Sequence, residues 1–278
     1  MKDDDCVAFL QWALPRMGLY WPGFRKVRGL VCKRIDRRRR ALGIDTVAGY
    51  RDLLRDNAVE WDALRALCAI PISRFYRDRG VFAALEHVVL PGLAAAACAR
   101  PEHTLSCWSV GCASGEEAYT LSIVWQLQFA ARFPAVALRI LGSDVDPVLL
   151  ARAAVGCYPS SSLSELPLGL RAQAFEARAR RHCVREKFRA GVVFEQRDIR
   201  DSIPDARFDL VLCRNGVLTY FEPELQRSVL HRIIATLRAG GALVVGVHES
   251  LPAGTEGLAR WPGMRCIFRR GMHANGTR

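Results

Sequence analysis

The chain has 278 residues, which is enough for one large domain or for a small and a medium one, and half of its residues are hydrophobic, which allows a sizeable core. Its net charge of +12 and isoelectric point near 9.6 favour acidic partners, namely nucleic acid, an anionic membrane or an acidic protein surface, without choosing among them. The first residues do not combine a basic segment with an apolar one, and no run approaches about 18 apolar residues, so neither a signal peptide nor a membrane span is expected.

Residues 1–84 are expected to form a helical domain. Apolar residues recur at helical spacing over 24–42 beside a dense basic face, and Gly43 then provides a stop. Two shorter helices are predicted over 47–57 and 58–69. These segments together predict a small all-helical unit with a basic surface.

From residue 85 onward, helices and strands alternate, which indicates a doubly wound parallel sheet. Strands are predicted at 104–110, 138–142, 192–195, 208–213, 242–246 and 266–268, and helices at 117–133, 148–155 and 223–237. Residues 156–191 are rich in serine and arginine and break the alternation. They are expected to form an excursion outside the sheet.

The chain contains ten cysteines, and none of them form a C-x-x-C pair. Most lie in apolar runs, as Cys68, Cys98, Cys213 and Cys266 do, where a cysteine behaves as a small hydrophobic residue. This usage is typical of a reducing compartment. The sequence therefore predicts a cytoplasmic protein without disulfides and without a metal site.

The most informative stretch of the chain is residues 108–119. A short apolar segment runs into Gly111 and Gly115, Glu116 and Glu117 follow directly, and a helical pattern then begins. Such a strand, tight turn and helix N-terminus is where α/β proteins hold nucleotide-like ligands, and glycine lets the chain approach the ligand closely. The two carboxylates would repel a phosphate, whereas S-adenosylmethionine offers them both a cationic and a hydroxyl-rich face.

Polar residues follow the other predicted strands as well. Asp144, Asp198 and the Arg214-Asn215 pair stand where strands end, and in doubly wound folds ligands bind at the carboxyl ends of the strands. A carboxylate at Asp144 can accept hydrogen bonds from both hydroxyls of a ribose. The alternative for this residue is a helix N-cap before Pro147.

Three other ligand motifs are incomplete at the glycine turn. A nicotinamide-binding fold needs G-x-G-x-x-G, and here Gly111 and Gly115 are followed by acids. A serine hydrolase needs G-x-S-x-G, but the serine within 111–115 stands one position late. A P-loop needs Gly-Lys-Ser/Thr, which is absent.

Two basic features of the sequence also have a structural explanation that involves no function, when each is taken alone. Arg77 stands beside Asp78, and a lone Arg-Asp neighbour pair is usually a surface ion pair. The four arginines at 37–40 are typical of a solvated helix face or of a non-specific polyanion contact.

Five short motifs follow one another in an order that is known from one enzyme family. They are Ser73-Arg-Phe-Tyr-Arg77-Asp78, the turn from Ser109 to Tyr119, Ser143-Asp-Val-Asp146, the run from Phe208 to Asn215, and Gly246-Val-His-Glu-Ser250. With these motifs the chain resembles, over residues 24–270, the CheR-type chemotaxis receptor methyltransferases. These enzymes use S-adenosylmethionine to methylate glutamate side chains of receptors. Five ordered matches are far more specific than any one of them.

The resemblance implies a fold and an activity. The fold is an α/β class with a Rossmann-like class I S-adenosylmethionine-dependent methyltransferase sheet and a small N-terminal all-helical domain. Residues 1–84 would be the basic, substrate-docking domain and 85–278 the cofactor-binding domain, with 156–191 as a shortened inserted subdomain. The activity is protein-glutamate O-methylation, with S-adenosylhomocysteine as the product of the cofactor.

The resemblance also implies which residues bind the cofactor. They are Ser73, Arg77, Gly111, Glu117, Asp144, Asp198, Ile199, Arg214 and Asn215. Glu117 would hold the methionine amino group, and Asp144 would hold the ribose. Asp198 and Ile199 would flank the adenine. Glu116 is left as support for the helix N-terminus, where an acid interacts favourably with the helix dipole.

Arg77 and Tyr220 would be the catalytic residues, because Arg77 can steer the acceptor carboxylate and Tyr220 can share that task. One residue is inserted after Asn215 relative to the family, which can displace Tyr220. Pro71 stands where the family usually has Asn. The excursion at 156–191 is shorter than in members that use it to grip a receptor tail, so no strong tail tether is expected.

The expected partner is an acidic helical protein of the chemoreceptor kind, docked by the basic N-terminal helices that include residues 37–40. The expected state is a monomer, without nucleic acid as a partner.

One alternative function is that of a methyltransferase of the same fold that acts on another protein or on a small molecule. A second is a degenerate cofactor-binding scaffold, although a scaffold has no need of so many site residues together. A third, a nucleic-acid methyltransferase, is suggested by charge alone, and Arg214-Asn215-Gly216 is not the Asn/Asp-Pro-Pro-Tyr motif expected of one.

Overall fold

The computed structural model of the protein describes residues 2–271. The chain divides into two units. The first combines Met1–Pro71 with Thr219–Gln226, and the second combines Ile72–Leu218 with Arg227–Arg278.

The first unit is helical. Its helices are α1 (Asp3–Arg16), α2 (Trp21–Phe24), α3 (Arg28–Ala41), α4 (Val47–Leu54) and α5 (Ala58–Cys68). The side chains of Phe9 and Leu10 of α1, Val31 and Ile35 of α3, and Tyr50 of α4 are fully or almost fully buried in its core. The helices predicted over 24–42, 47–57 and 58–69 are thus present with shorter bounds. The side chains of Thr46 and Asn57 cap the N-termini of α4 and α5.

The arginine run at 37–40 in α3 is only partly solvated. Three of its members form ion pairs inside the helical unit. The pairs are Arg38–Glu60, Arg39–Asp36 and Arg40–Asp36, at 2.7, 2.8 and 2.8 Å. The Arg38 guanidinium lowers the pKa of the Glu60 carboxyl, which is 4 % exposed. Lys33 and Arg37 are the exposed cations on the rest of this helix face.

The second unit is built on a seven-stranded sheet. The strands described in this unit, in chain order, are β1 (Thr104–Val110), β2 (Ala137–Asp144), β3 (Cys157–Tyr158), β4 (Phe175–Arg178), β5 (Arg181–Val184), β6 (Val192–Gln196), β7 (Phe208–Cys213), β8 (Leu237–Val245), β9 (Leu258–Arg260) and β10 (Ile267–Arg270). The main sheet has the order β6-β2-β1-β7-β8-β10-β9, in which the first five strands are parallel and the last two antiparallel. The predicted Rossmann-like α/β fold with a helical N-terminal part is confirmed.

Helices alternate with the strands of this sheet, as the sequence predicted. Two helices, α6 (Arg79–Ala84) and α7 (Leu90–Cys98), precede β1. The helices that follow are α8 (Glu116–Val124), α9 (Pro147–Val155), α10 (Leu168–Ala174), α11 (Glu186–Arg189), α12 (Val217–Tyr220) and α13 (Pro223–Thr236). A π-helical turn, Leu85–Val89, joins α6 to α7 without a break.

The joined helix Arg79–Cys98 is, among the described residues, the one stretch long and apolar enough to cross a membrane by length and composition. Half of it is buried inside the protein, where Val81 and Phe82 belong to the core of the sheet unit. The expected domain boundary between residues 84 and 85 falls inside this helix, whereas the two units divide after Pro71.

Residues 157–184 contain a second, three-stranded antiparallel sheet of order β3-β5-β4, so the predicted excursion outside the main sheet is present. Cys157 and Cys183 face each other on β3 and β5 and form a disulfide. A second disulfide joins Cys6 of α1 to Cys32 of α3. The prediction of a chain without disulfides is wrong, because each pair is 26 residues apart and is brought together by the fold rather than by local spacing. The cysteine usage therefore gives no support to a reducing compartment.

The turn after β1 depends on glycine. Gly115 has φ +87°, and a Cβ there would lie 2.8 Å from the Phe194 ring and 2.9 Å from Cβ of Ala153. Other residues rarely adopt this backbone conformation, and the neighbours leave no room for a side chain. The turn thus sets the start of α8 tightly against β6 and α9.

Candidate functional site

Strained backbone is concentrated at the carboxyl ends of the parallel strands. Four non-glycine residues with left-handed backbone lie here or in the segment packed against it: Tyr76, Asp78, Ala113 and Asn215, with φ between 49° and 62°. Each such residue costs on the order of 1–3 kcal/mol and persists only where the surroundings impose it. This concentration marks the edge formed by β1, β2 and β7 as the candidate site.

A buried guanidinium organises this edge. The side chain of Arg214, directly after β7, is 2 % exposed. Its Nη1 donates to Oε2 of Glu117 at 2.9 Å, and its Nη2 donates to Oδ2 of Asp78 at 2.6 Å and to the main-chain carbonyl of Arg77 at 3.0 Å. Ser109 on β1 donates its hydroxyl to Oε1 of Glu117 at 2.7 Å. We call Asp78, Arg214 and Glu117 the arginine cluster.

The arginine cluster has an excess of negative charge. Two carboxylates face one guanidinium, which leaves one net negative charge in a largely buried place. Electrostatic interactions are strong where water is excluded, so this arrangement favours a cationic ligand over an anionic one. The Arg214 guanidinium cannot itself bind a free anion strongly, since both of its terminal nitrogens already donate to carboxylates.

Asp144 ends β2 and faces the glycine turn. Its Oδ2 accepts from the Ala113 amide at 2.8 Å, and its Oδ1 accepts from the Asp146 amide at 3.0 Å. Burial raises the pKa of the Asp144 carboxyl, and these backbone hydrogen bonds counteract the rise. The N-cap of α9 is Asp146, whose side chain accepts from Val148 and Leu149, so the N-cap alternative for Asp144 is wrong.

Glu116 is more deeply placed than its neighbour Glu117. The residue is 2 % exposed, and its Oε1 accepts from the Ser114 hydroxyl at 3.2 Å. The other oxygen, Oε2, has no hydrogen-bond partner within residues 2–271. Burial raises the pKa of the Glu116 carboxyl above its ordinary value, and the hydroxyls of Ser73 and Ser114 counteract the rise. This acid is thus a buried carboxyl within the glycine turn.

The segment that carries Arg77 borders the cluster. The main-chain carbonyl of Arg77 accepts from Arg214. The Arg77 guanidinium is partly exposed and donates to the Ile72 carbonyl at 2.7 Å. The Arg77 side chain is thus held near the segment by a single carbonyl contact. A bond of this kind to a neutral acceptor can be exchanged for one to a carboxylate, which is stronger.

Asn215 is held by a residue that the sequence motifs contained without an assigned role. Oε2 of Glu249 accepts from the Asn215 amide at 2.9 Å and from the Gly246 amide at 2.7 Å. A Cβ on Gly246 would lie 2.6 Å from Oδ1 of Asn215, so glycine is needed there. Glu249 thereby fixes the loop after β7 to the end of β8.

Asp198 and Ile199 follow β6, the strand next to β2. The Asp198 carboxylate accepts from the backbone amide of Arg200 at 2.9 Å and from its Nε at 2.8 Å. The Ile199 carbonyl accepts from Arg232 at 2.9 Å. Both residues therefore stand at the carboxyl end of the sheet, in a loop held by arginines.

Tyr220 belongs to the helical unit. Its ring lies 4.9 Å from that of Phe24, and its carbonyl accepts from the Tyr20 amide at 2.8 Å. Its catalytic role stays a prediction.

Sequence reasoning missed three side chains that this site uses. Asp78, Ser109 and Glu249 each orient a residue that had been assigned a role. All three stood inside the motifs, and Asp78 directly follows Arg77. The contacts of Asp78 and Glu249 join residues 136 and 34 positions apart, which no local pattern reveals, whereas Ser109 and Glu117 belong to the same motif.

The family model of the CheR methyltransferase, SAM binding domain, matches residues 72–264. The chain belongs to this family. Its members are methyltransferases that bind S-adenosylmethionine, and this is the cofactor of the chain. The residues fit such a ligand, because the arginine cluster has a net negative charge and a Cβ on Gly111 would meet open space.

Two relatives are similar in sequence. The chain is 36 % identical over 225 residues to an uncharacterized 104.1 kDa protein of Rhodobacter capsulatus, covering 80 % of this chain but only 23 % of that protein. It is 33 % identical over 198 residues to a chemotaxis protein methyltransferase of Listeria monocytogenes. That match covers 71 % of this chain and 72 % of the Listeria protein. The solved N-methyltransferase NodS of Bradyrhizobium japonicum covers 80 % of this chain and 95 % of its own, with 17 % identity and a TM-score of 0.40, which is too low to support a conclusion.

We expect Glu116→Gln to stabilise the fold at neutral pH. Because burial raises the pKa of Glu116, the folded wild type holds this proton more tightly than the unfolded chain. Wild-type stability should therefore fall as pH rises from the ordinary pKa through the raised one. The glutamine variant lacks this loss, so it should be more stable than wild type at neutral pH, by a margin that grows as pH rises through the raised pKa.

Urea unfolding at several pH values measures this difference. Glu186→Gln is the matched control, since the Glu186 side chain is 86 % exposed. A difference between Glu116→Gln and wild type that shrinks as pH rises would contradict the burial effect.

Proposed function

We propose that the protein transfers the methyl group of S-adenosylmethionine to glutamate carboxylates of an acidic helical protein, a methyl-accepting chemotaxis receptor. The observation that carries the proposal is the arginine cluster with Arg77 beside it, because it combines a site for a cationic cofactor with a nearby guanidinium for a carboxylate. Membership of the CheR family and the similarity to named chemotaxis protein methyltransferases support it.

The arginine cluster would bind the amino acid part of the cofactor. Glu117 would accept from the methionine amino group while it keeps its contacts with Ser109 and Arg214, since each carboxylate oxygen has about two acceptor positions. Arg214 would keep Glu117 oriented, and Asn215 would line the place of the sulfonium. Ser73 would close the pocket from the segment before Arg77.

The nucleoside part of the cofactor would lie along the ends of β1, β2 and β6. Gly111 gives the ligand room at the turn. Asp144 would accept from the ribose hydroxyls, and the amides that already bond to it hold the carboxylate in place. Asp198 and Ile199 would flank the adenine.

The main catalytic contribution required of the protein is to align the acceptor carboxylate with the methyl group. A glutamate carboxylate is ionised at neutral pH, so no base is needed to generate the nucleophile. When bound, the cofactor supplies an electrophilic methyl group on a sulfonium. The acceptor oxygen forms the O–CH₃ bond as the S–CH₃ bond breaks, leaving S-adenosylhomocysteine and a neutral ester. Arg77 would exchange its Ile72 carbonyl partner for the acceptor carboxylate and hold it in line, a positional effect worth several kcal/mol.

Arg77→Ala should lower kcat about 100-fold, because the acceptor carboxylate would lose its alignment. The fold should survive, since the Arg77 side chain is partly exposed and its hydrogen bond goes to the neutral Ile72 carbonyl. The assay is base-labile methanol released from an acidic receptor protein after labelling with methyl-labelled cofactor.

Arg139→Ala, at an exposed position of β2, is the matched control and should keep wild-type activity. Full activity of Arg77→Ala would exclude the assigned role. Label that is transferred but not released by base would exclude a carboxyl ester as the product.

Docking of the acceptor is proposed to involve the exposed cations of α3. Arg38, Arg39 and Arg40 are engaged in ion pairs, so Lys33 and Arg37 are the better candidates on that helix. An acidic helical surface would be attracted by them, and the attraction would weaken with salt.

The double charge reversal Lys33→Glu/Arg37→Glu should raise KM for the receptor protein about tenfold and leave kcat and cofactor affinity unchanged. Initial rates at low and moderate salt provide the measurement. Arg132→Glu/Arg139→Glu makes the same change in net charge at exposed positions of the sheet unit. An equal rise in KM in both double variants would show that net charge, rather than this helix, attracts the substrate.

A protein acceptor outside chemotaxis is the second candidate. The Rhodobacter capsulatus relative motivates it, because the similar region is 23 % of that 104.1 kDa protein and so also occurs within a much longer chain. The same methanol assay separates the candidates, since labelling of a receptor protein supports the first and labelling of another protein supports the second. The cytoplasmic location and the monomeric state stay predictions.

A further inference from the structure

The excursion outside the main sheet reaches the segment that carries Arg77. Its loop of residues 160–166, which we call the support loop, contacts residues 73–79 through both main chain and side chains. The Phe75 amide donates to the Ser162 carbonyl at 2.9 Å. Arg79 donates its Nε to the Glu165 carbonyl at 3.0 Å.

Glu165 is the residue of the support loop that contacts this segment with its side chain. Its Oε2 accepts from the Asp78 amide at 3.1 Å, and its Oε1 pairs with Nη1 of Arg74 at 3.4 Å. The Glu165 side chain is 27 % exposed, so solvent weakens the ion pair more than the hydrogen bond to the amide.

The amide that Glu165 binds belongs to a strained residue. Asp78 has φ +62°, and its carboxylate accepts from Nη2 of Arg214 at 2.6 Å. A non-glycine residue holds this conformation only where its surroundings impose it. The hydrogen bond from the Asp78 amide to Glu165 is such a restraint, because it fixes the peptide plane that sets the direction of the Asp78 side chain.

The contacts thus form a continuous path from the support loop to the cofactor site. Glu165 binds the Asp78 amide, the Asp78 carboxylate binds Arg214, and Arg214 binds Glu117. Within the described residues, Glu165 is the side chain of the support loop that hydrogen-bonds to Asp78.

The segment has a second anchor that does not depend on Glu165. The buried ring of Phe75 packs edge-on against Tyr158 and Phe175, with ring centres 4.8 and 5.0 Å apart. Tyr158 in turn donates its hydroxyl to the Ser114 carbonyl in the glycine turn at 2.6 Å. Loss of Glu165 should therefore loosen the Asp78 peptide while the segment stays packed.

We propose that Glu165 is a positioning residue for cofactor binding, which acts through the Asp78 amide to hold Asp78, Arg214 and Glu117 in their binding geometry. The excursion is then part of the cofactor site as well as a possible contact surface for a substrate. The proposal rests on the proposed role of Glu117 in holding the amino group.

The test is calorimetric binding of S-adenosylhomocysteine to the full chain, together with KM for S-adenosylmethionine and kcat. Glu165→Ala should raise the dissociation constant and this KM about tenfold and change kcat less than threefold. Glu165→Gln should stay within threefold of wild type, because the amide oxygen of glutamine can accept from the Asp78 amide. Glu186→Ala, on α11 of the same excursion, is the control and should bind as wild type does.

A double variant tests the path itself. If Glu165 acts through Asp78, the variant Glu165→Ala/Asp78→Ala should bind no more weakly than Asp78→Ala alone. Additive losses would overturn the proposal, and so would a wild-type dissociation constant in Glu165→Ala. An equal loss in Glu165→Gln and Glu165→Ala would also overturn it, since the amide needs only an acceptor.

Two further variants keep the proposal open to refutation. If Glu165→Ala fails to fold, Glu165→Asp withdraws the carboxylate by one methylene and should still raise the dissociation constant severalfold; wild-type binding by it would overturn the proposal. Glu117→Gln tests the underlying role separately. Wild-type affinity in Glu117→Gln refutes the role of Glu117, whereas a loss there with none in Glu165→Ala refutes the positioning role alone.

Discussion

A guanidinium that is buried away from water needs carboxylate partners, and its hydrogen bonds then fix the positions of those carboxylates. Arg214 is such a group, with a side chain 2 % exposed and a carboxylate on either side. Removing either partner would leave a buried N–H group of the guanidinium without its charged acceptor, which is destabilising. The position of Asp78 before α6 and of Glu117 at the start of α8 both depend on this cation.

The same interaction accounts for the acidic residues after the glycine turn, where proteins that bind nucleotide phosphates usually present backbone amides. One guanidinium between two carboxylates leaves negative charge for a cationic ligand, and Ser109 and Arg214 fix the direction of Glu117 before any ligand arrives. Such preorganisation lowers the ordering cost of binding. The backbone strain at Asp78 and Asn215 is maintained by two other acids, Glu165 and Glu249, which accept from their amides.

Much of the fold follows from patterns within short windows. Strand ends, the glycine turn and the longer helices of both units could be predicted, because side-chain periodicity and glycine act locally. The last strand, β10, was predicted as a short strand at 266–268. Its antiparallel partner β9 and the three-stranded sheet were not predicted, since their strands are short and their pairing is non-local. The disulfides Cys6–Cys32 and Cys157–Cys183 were missed for the same reason.

The sequence predicted candidate residues at the strand ends but not the contacts that connect them. Glu117, Asp144 and Arg214 were identified from strand ends and motifs, whereas the hydrogen bond between Arg214 and Glu117 joins positions 97 residues apart. Asp78 and Glu165 are 87 residues apart and meet only through the excursion. Contacts of this kind depend on the assembled sheet unit, which no single motif contains.

The proposed site requires that Glu117, held by Arg214, binds the amino group of the cofactor. A crystal structure of the complex with S-adenosylhomocysteine would show where that amino group lies. We expect the methionine amino nitrogen within about 3 Å of a Glu117 carboxylate oxygen, with the hydrogen bond between Arg214 and Glu117 retained. An amino group bound elsewhere, or an Arg214 side chain that has left Glu117 to bind the ligand, would contradict it.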